Sequence, residues 1–308
     1  MLETLIERVK RLDLYDRVDL ESHVYHGVID YVVHTRAKTI DSILSAVKPL
    51  CETAYYLGRV CIACGLLEKV AEHAEEYGLS LSEYRAVVKR IAETLDILFN
   101  DAEQRYISVI SETITRDSVL LLLSPNSRML RLATAIGFKL EKVLIPTRDP
   151  IKSGIGLAKA LRKRNVNAYY VPDDSLAWAV LESNIVIADA FGIGPGDRLI
   201  VDAGVEPAIA LSRGRNTRPL ILLPTPSACE RRTSEEAEAP SVVVESSLGG
   251  PRVRLSLVDL LDPGKYKFEI VTENAVLEAS RQVVRERVRV VQEDIVDDTI
   301  QSVLDAML

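Results

Sequence analysis

Val119-Leu-Leu-Leu-Leu123 followed by Ser124-Pro-Asn-Ser127 decides the fold class. A wholly apolar run of strand length that stops at turn residues reads as a strand buried on both faces. The set Met129, Leu130, Leu132, Ala133, Ile136 and Phe138 then gives a capped amphipathic helix. Working outward, the unit repeats at Lys142 to Ile145 with a helix over about 151–164, and at Ala168 to Val171 with a helix from Asp174 or Ser175. Ile185 to Ala188, Leu199 to Val201 with Pro207 to Ser212, and Leu220 to Leu223 continue it. Alternating strands and helices predict a doubly wound, Rossmann-like α/β domain whose ligands lie beyond the carboxyl ends of the strands. That rule places the candidate site at Ser124 to Ser127, Thr147 to Gly154, Asp173 to Ser175, and Asp189 to Asp202.

Upstream of this core, residues 1–113 carry helical periodicity and almost no strand signal, so an all-helical domain is expected there, followed by the α/β domain over 114–308. Pro49 is expected to punctuate the early helices. Helices are expected over roughly 53–77 and 82–113, the second opened by the capping box Ser80-Leu-Ser-Glu83. Downstream, 227–240 reads as a mobile loop, Val242 to Glu245 and Phe268 to Thr272 as late strands, and 274–308 as one or two helices. The heptad-like set Val276, Val283, Val284, Val288, Val291, Ile295, Ile300 and Leu304 suits either a cover for the sheet or a dimer seam.

Composition is ordinary for a globular chain, at 47% hydrophobic and 27% charged. A net charge of −7 without a basic stripe argues against direct nucleic-acid binding. The amino terminus is an amphipathic charged helix rather than a signal peptide, and no apolar run suits a membrane span, so a cytoplasmic protein is expected. Few Cys, Met and Gln beside many Arg, Glu and Val suit a thermophile. Cys61-Ile-Ala-Cys64 stands alone in an apolar helix and reads as buried small hydrophobes; a disulfide would draw on Cys51, because two thiols at that spacing on one helix bridge poorly. His23, His26 and His34 fall on one helix with no ligand set to complete a metal site, and no cofactor is implied. Gly192-Ile-Gly-Pro-Gly196 reads as a turn into a strand, because a dinucleotide fingerprint needs a helix there.

These segments resemble one family. Val143-Leu-Ile-Pro-Thr-Arg-Asp-Pro-Ile-Lys-Ser-Gly154, Leu157-Ala-Lys-Ala-Leu161, Val171-Pro-Asp-Asp-Ser175, Ile185-Val-Ile-Ala-Asp-Ala190 and Gly196-Asp-Arg-Leu-Ile-Val-Asp-Ala-Gly204 are similar, in order and spacing, to motifs of the translation initiation factor 2B α/β/δ family. That family includes ribose-1,5-bisphosphate isomerase and methylthioribose-1-phosphate isomerase. The resemblance covers residues 114–225, and Thr35-Arg36 with Thr39 resembles the family's Arg-Pro-Thr helix start. It implies a homo-oligomer, paralogous subunits or initiation factor 2 as partners, and a nucleotide or sugar phosphate as ligand.

The departures bear on function. The isomerases pair a Cys after the first α/β strand with the Asp of a Gly-Ala-Asp segment; here Asp189 is present, but Ser124 or Pro125 stands at the Cys position. The family's phosphate-side Arg corresponds to Asp149, with Arg148 one residue earlier, and its Asn-Lys pair becomes Asp202-Ala203. Asp189 is therefore the catalytic candidate without its partner, while Ser124, Asn126, Ser127, Arg148, Asp202 and Arg36 are the ligand-binding candidates. The expected function is a regulatory or scaffold protein like the initiation factor 2B subunits, without catalysis. The alternative is an aldose–ketose isomerase in which Ser124 replaces Cys, and a serine without a neighbouring base is a poor substitute. An oxidoreductase using a nicotinamide cofactor rests on fold analogy alone.

Overall fold

The computed structural model describes residues 1–10, 17–54, 57–148, 152–229, 241–244, 253–256 and 258–307. The amino-terminal part is helical: α1 (Leu2–Lys10), α2 (Arg17–His34), α3 (Ile40–Thr53), α4 (Gly58–Tyr77) and α5 (Leu81–Thr113). Ser80 and Glu83 form the reciprocal capping box that starts α5. Pro49 does not end its helix as expected; α3 runs through it to Thr53, whose hydroxyl donates to the Pro49 carbonyl at 2.7 Å.

The α/β part follows as β1 (Ser118–Leu122), α6 (Ser127–Ile136), β2 (Leu140–Pro146), α7 (Ser153–Arg162), β3 (Ala168–Val171), α8 (Leu176–Glu182), β4 (Ile185–Gly194), β5 (Arg198–Asp202), α9 (Val205–Ser212) and β6 (Arg218–Leu222). Then come β7 (Ser241–Val244), β8 (Val253–Ser256), β9 (Val258–Leu261), β10 (Glu269–Val271), β11 (Val276–Glu278), α10 (Arg281–Arg289), a π-helical stretch (Val290–Asp297) and α11 (Asp298–Met307). The main sheet has the order β11-β10-β6-β4-β1-β2-β3, parallel except for β11. Strand order therefore reverses between β1 and β4, and ligands of doubly wound sheets sit at that switch point.

Two expectations change. Leu199 to Val201 is not another parallel strand; β4 runs past the sheet, turns at Pro195 to Asp197, and β5 returns antiparallel to it and pairs onward with β9. The stretch after Asn274 is not helical from its start, because Val276–Glu278 pairs with β10 and the helix begins at Arg281, capped by Ser280. Of the expected loop over 227–240, residues 230–240 lie outside the described residues, while Ser227 closes a short 3-10 turn from Thr225, and Ala228 and Cys229 are buried.

Both faces of the sheet are covered, as a parallel sheet requires. Val119, Leu121 and Leu123 join the helical domain, α8, α9 and the carboxyl-terminal helices in one core, while Leu120 and Leu122 face α6, α7 and the end of α5. Val284, Val291, Ile300 and Leu304 are buried in the first of these, so that part of the heptad-like seam is spent within the chain. All four cysteines are bonded: Cys51–Cys64 joins α3 to α4, and Cys61–Cys229 joins α4 to the segment after β6. They are buried, as expected of small hydrophobes, yet they are not free thiols. No helix of the described residues is long and apolar enough to cross a membrane.

Candidate functional site

The switch point is built from the turn after β1 and the end of β4. Asn126 caps α6 by accepting from the Met129 N–H at 2.9 Å, which leaves its amide nitrogen to donate to Asp189 Oδ2 at 3.0 Å. One turn position later, Arg128 is fully buried, and its Nη1 donates to Asp189 Oδ1 at 2.7 Å and Oδ2 at 2.6 Å. Ser124 Oγ accepts from the Asp189 N–H at 3.0 Å. Ser124, Asn126 and Asp189 are thus brought together as expected, and Asp189 is 1% exposed.

The cluster continues into the helical domain. Arg128 Nη2 reaches Glu103 Oε1 of α5 at 3.3 Å, Arg59 of α4 reaches the same oxygen at 3.2 Å, and Arg131 pairs with Glu103 Oε2. The Arg59 N–H, a free donor at the start of α4 where the preceding Leu57 supplies no side-chain cap, is taken by Glu21 Oε1 of α2 at 2.5 Å. Burial pushes Glu21 up to about 7 against the pull of Arg59 and Arg128, and pushes Asp189 up to about 6 against the pull of Arg128 and Asn126. Burial alone would also raise Glu103, but Arg128, Arg131 and Arg59 together hold it below its ordinary value. The Arg128 guanidinium is raised despite its burial, because Asp189 and Glu103 favour its charge. Asp189 therefore sits as a paired carboxylate at neutral pH.

The second half of the site is also turned inward. Arg148 adopts a left-handed conformation, φ 62°, which no side chain favours. Its N–H donates to Asp173 Oδ1 at 2.9 Å, one guanidinium nitrogen donates to the Ala203 carbonyl, and the other lies 3.9 Å from Asp202. The start of α9, whose N–H groups would suit a phosphate, is occupied by Asp259 Oδ2, which accepts from Gly204 at 2.8 Å and Glu206 at 3.1 Å. Burial raises the Asp259 carboxyl, and those two backbone donors oppose the rise. Ser127, at the start of α6, donates to Asp19 of α2 at 3.1 Å.

Arg36 is not brought to this site. It is exposed in the α2–α3 connection, which Arg85 pins by donating to the Thr35 and Ala37 carbonyls; Arg85 and Glu103 lie about 27 Å apart along α5 at 1.5 Å per residue. Asp149 lies outside the described residues. Among the described residues, no group of three or more His, Cys, Asp or Glu is placed to hold a metal ion.

Sequence reasoning missed Arg128, Glu103, Arg59 and Glu21. Two signals were present: a cation in the first turn of α6 opposes the helix dipole, and Glu103 interrupts the apolar face formed by Phe99, Ala102 and Tyr106.

With this geometry in hand, known proteins give the fold its relatives. No family model and no curated protein matches the chain. Solved structures do. The translation initiation factor eIF-2B of Pyrococcus horikoshii superposes with a TM-score of 0.74 at 14% identity, over 92% of this chain and 98% of its own. The chain has the initiation factor 2B fold. The tetrameric eIF2B β2δ2 complex of Chaetomium thermophilum gives 0.66 at 18% identity, over 94% of each chain. The 5-methylthioribose 1-phosphate isomerase of Pyrococcus horikoshii gives 0.64 at 15% identity, over 93% of this chain and 87% of its own. The initiation factor 2B fold thus accommodates both an initiation factor and an isomerase, and the side chains at the switch point must decide between them.

Proposed function

We propose that this chain is a non-catalytic protein of the initiation factor 2B subunit type, acting through assembly with copies of itself, with paralogous subunits or with initiation factor 2. The observation that carries this reading is the state of Asp189. Both its oxygens are held by Arg128 and Asn126, it is 1% exposed, and the hydroxyl of Ser124, one of the two positions that match the isomerases' Cys, accepts from the Asp189 N–H. A general acid or base must reach substrate, and a nucleophile needs an activating base beside it. Neither condition is met. A nucleotide or sugar phosphate would compete with Asp19 at Ser127 and with Asp259 at α9, so phosphate affinity is expected to be weak. The β2δ2 tetramer among the relatives supports assembly as the mode of action.

The test is to incubate the purified chain with ribose-1,5-bisphosphate and with methylthioribose-1-phosphate, assay for ketose product, and measure molar mass by light scattering. No turnover together with a dimeric or larger mass is expected. Turnover that disappears in Asp189→Asn would establish the isomerase instead.

A further inference from the structure

At the opposite end of the sheet from Asp189, the amino ends of β2 and β3 carry a surface that the assembly reading does not use. Lys159 and Arg162 lie on the exposed side of α7, and Lys163 and Arg164 follow in the exposed turn to β3. Val166 packs directly beneath Gly137, where an added Cβ would sit 2.9 Å from its Cγ2, so this turn lies against the Phe138-Lys139 corner. Phe138 is 75% exposed, an unusual position for that side chain. Lys139 stands 5.8 Å from the Phe138 ring centre and Arg162 stands 5.2 Å from that of Tyr169, which is itself 44% exposed. None of Lys139, Lys159, Arg162, Lys163 and Arg164 pairs with a carboxylate among the described residues. The acids at this corner are Glu112 and Asp117, exposed at the end of α5 and just before β1, Glu141, exposed on β2, and Glu182, engaged by Lys142 at 3.4 Å; the exposed cations outnumber them.

The helix dipole of α7 accounts for Lys159 and Arg162 in its last turn, but not for the two cations beyond the helix or for the exposed rings. A strand-adding peptide fits poorly, because β3 is short and its Ala168 carbonyl is already taken by Arg162 Nε at 2.5 Å. Lys139 Nζ is spent on the Ser111 and Ile114 carbonyls. That leaves Lys159, Arg162, Lys163 and Arg164 as exposed cations without a carboxylate partner beside the Phe138 and Tyr169 rings, the combination a flexible polyanion with free bases requires. Duplex bases are stacked and hidden, whereas single-stranded RNA offers both phosphates and stackable bases.

We infer that the β2–β3 end of the molecule, centred on Phe138, Arg162, Lys163, Arg164 and Tyr169, is a binding surface for single-stranded RNA. Charge complementarity selects the occupant: in a chain of net charge −7 this corner is locally basic. Four of its cations, Lys159, Arg162, Lys163 and Arg164, stand within six residues of sequence, where the overall charge concealed them; folding adds Phe138 and Lys139 from the α6–β2 connection.

Fluorescence anisotropy of the full chain with a labelled single-stranded RNA of about 15 nucleotides, near the upper end of the strand length one such module covers, tests this. Saturable binding that weakens with salt is expected, and the triple variant Lys159→Gln/Lys163→Gln/Arg164→Gln should flatten the log–log salt slope by about 2, at roughly 0.7 per lost contact. Phe138→Ala should weaken binding at least about fivefold, the lower end of a base–aromatic stack. The inference is overturned by no saturable binding at low salt, by equal binding of duplex RNA, or by variants that bind as the parent does. It is equally overturned if Phe138→Ala changes the molar mass in light scattering, because a second copy would then cover this face.

Discussion

The two ends of the parallel sheet handle charge in opposite ways. At the carboxyl ends of β1 and β4, Glu21, Arg59, Glu103, Arg128 and Asp189 are buried and partnered to one another across α2, α4, α5, α6 and β4. At the amino ends of β2 and β3, Lys159, Arg162, Lys163 and Arg164 are exposed and carry no ion pairs among the described residues. Charge spent inside joins the helical domain to the sheet; charge left outside remains available to a partner. The first end has the position of an active site and the chemistry of a joint.

Breaking the joint should have the largest effect. Arg128→Met removes the counter-charge from Asp189 and a partner from Glu103, and losing one member of a buried ion pair costs about 3–5 kcal/mol. Chemical denaturation should show that loss, with partial recovery when Asp189→Asn is added. A loss below about 1 kcal/mol would mean the cluster is not what holds the helices to the sheet.

The disulfides make a second comparison within the same joint. Cys61–Cys229 closes the longer loop, with a sequence separation of 168 against 13 for Cys51–Cys64, and loop-closure entropy grows with that length. Removing it by Cys61→Ser with Cys229→Ser should cost about 2–4 kcal/mol, more than the matching change at Cys51 and Cys64. The unfolded, unreduced chain should show no titratable thiol.

Buried acids give a pH signature. Glu21 and Asp189 are raised in the folded state, to about 7 and about 6, from the ordinary carboxylate range. Below that range both states hold the proton, so stability is undiminished; as pH rises from about 4.5 to 7, the unfolded chain releases its protons first and stability falls. Glu21→Gln keeps an acceptor for the Arg59 N–H and should flatten that fall, by on the order of 2–3 kcal/mol between pH 5 and pH 8. Parallel melting curves of the two proteins across that range measure it, and an unchanged slope would show that Glu21 is ionised throughout.

The fold was legible because strand burial on both faces leaves an uninterrupted apolar run, as at Val119 to Leu123, and no distant residue alters that reading. The turn Ser124 to Ser127 before a capped helix, and Asp189 where β4 leaves the parallel sheet, were legible for the same local reason. What Asp189 does was not, since its partner Arg128 is sixty-one residues away in sequence and Glu103 belongs to another domain's helix. The end of β4 and its antiparallel return through β5 were obscured because Gly192 and Gly194 signal a turn locally, while pairing with Ile200 and Arg198 keeps them extended. The Cys61–Cys229 bond depends on α4 lying against the segment after β6, where Gly58 allows Pro226 and Ser227 backbone to approach; an added Cβ would sit 2.3 Å from the Pro226 carbonyl oxygen. No local pattern encodes that contact.

The smallest expected effect sharpens the comparison most. If the basic end is built for a partner rather than for the fold, the triple variant Lys159→Gln/Lys163→Gln/Arg164→Gln should cost no more than about 1 kcal/mol, the size of a helix-dipole contribution at the end of α7, where Lys159 lies in the last turn and Lys163 is the C-cap residue. Lys159, facing the α7 dipole, and Arg164, whose Nη1 donates to the Ala160 carbonyl at 3.1 Å near the end of α7, are the sensitive members, so the single variants Lys159→Gln and Arg164→Gln should together account for whatever change appears. A loss approaching that of Arg128→Met would place both ends of the sheet in the same structural role and erase the distinction. A loss within that bound, beside several kcal/mol at Arg128, would show that the chain keeps its inner charges to hold itself together and its outer ones for something else.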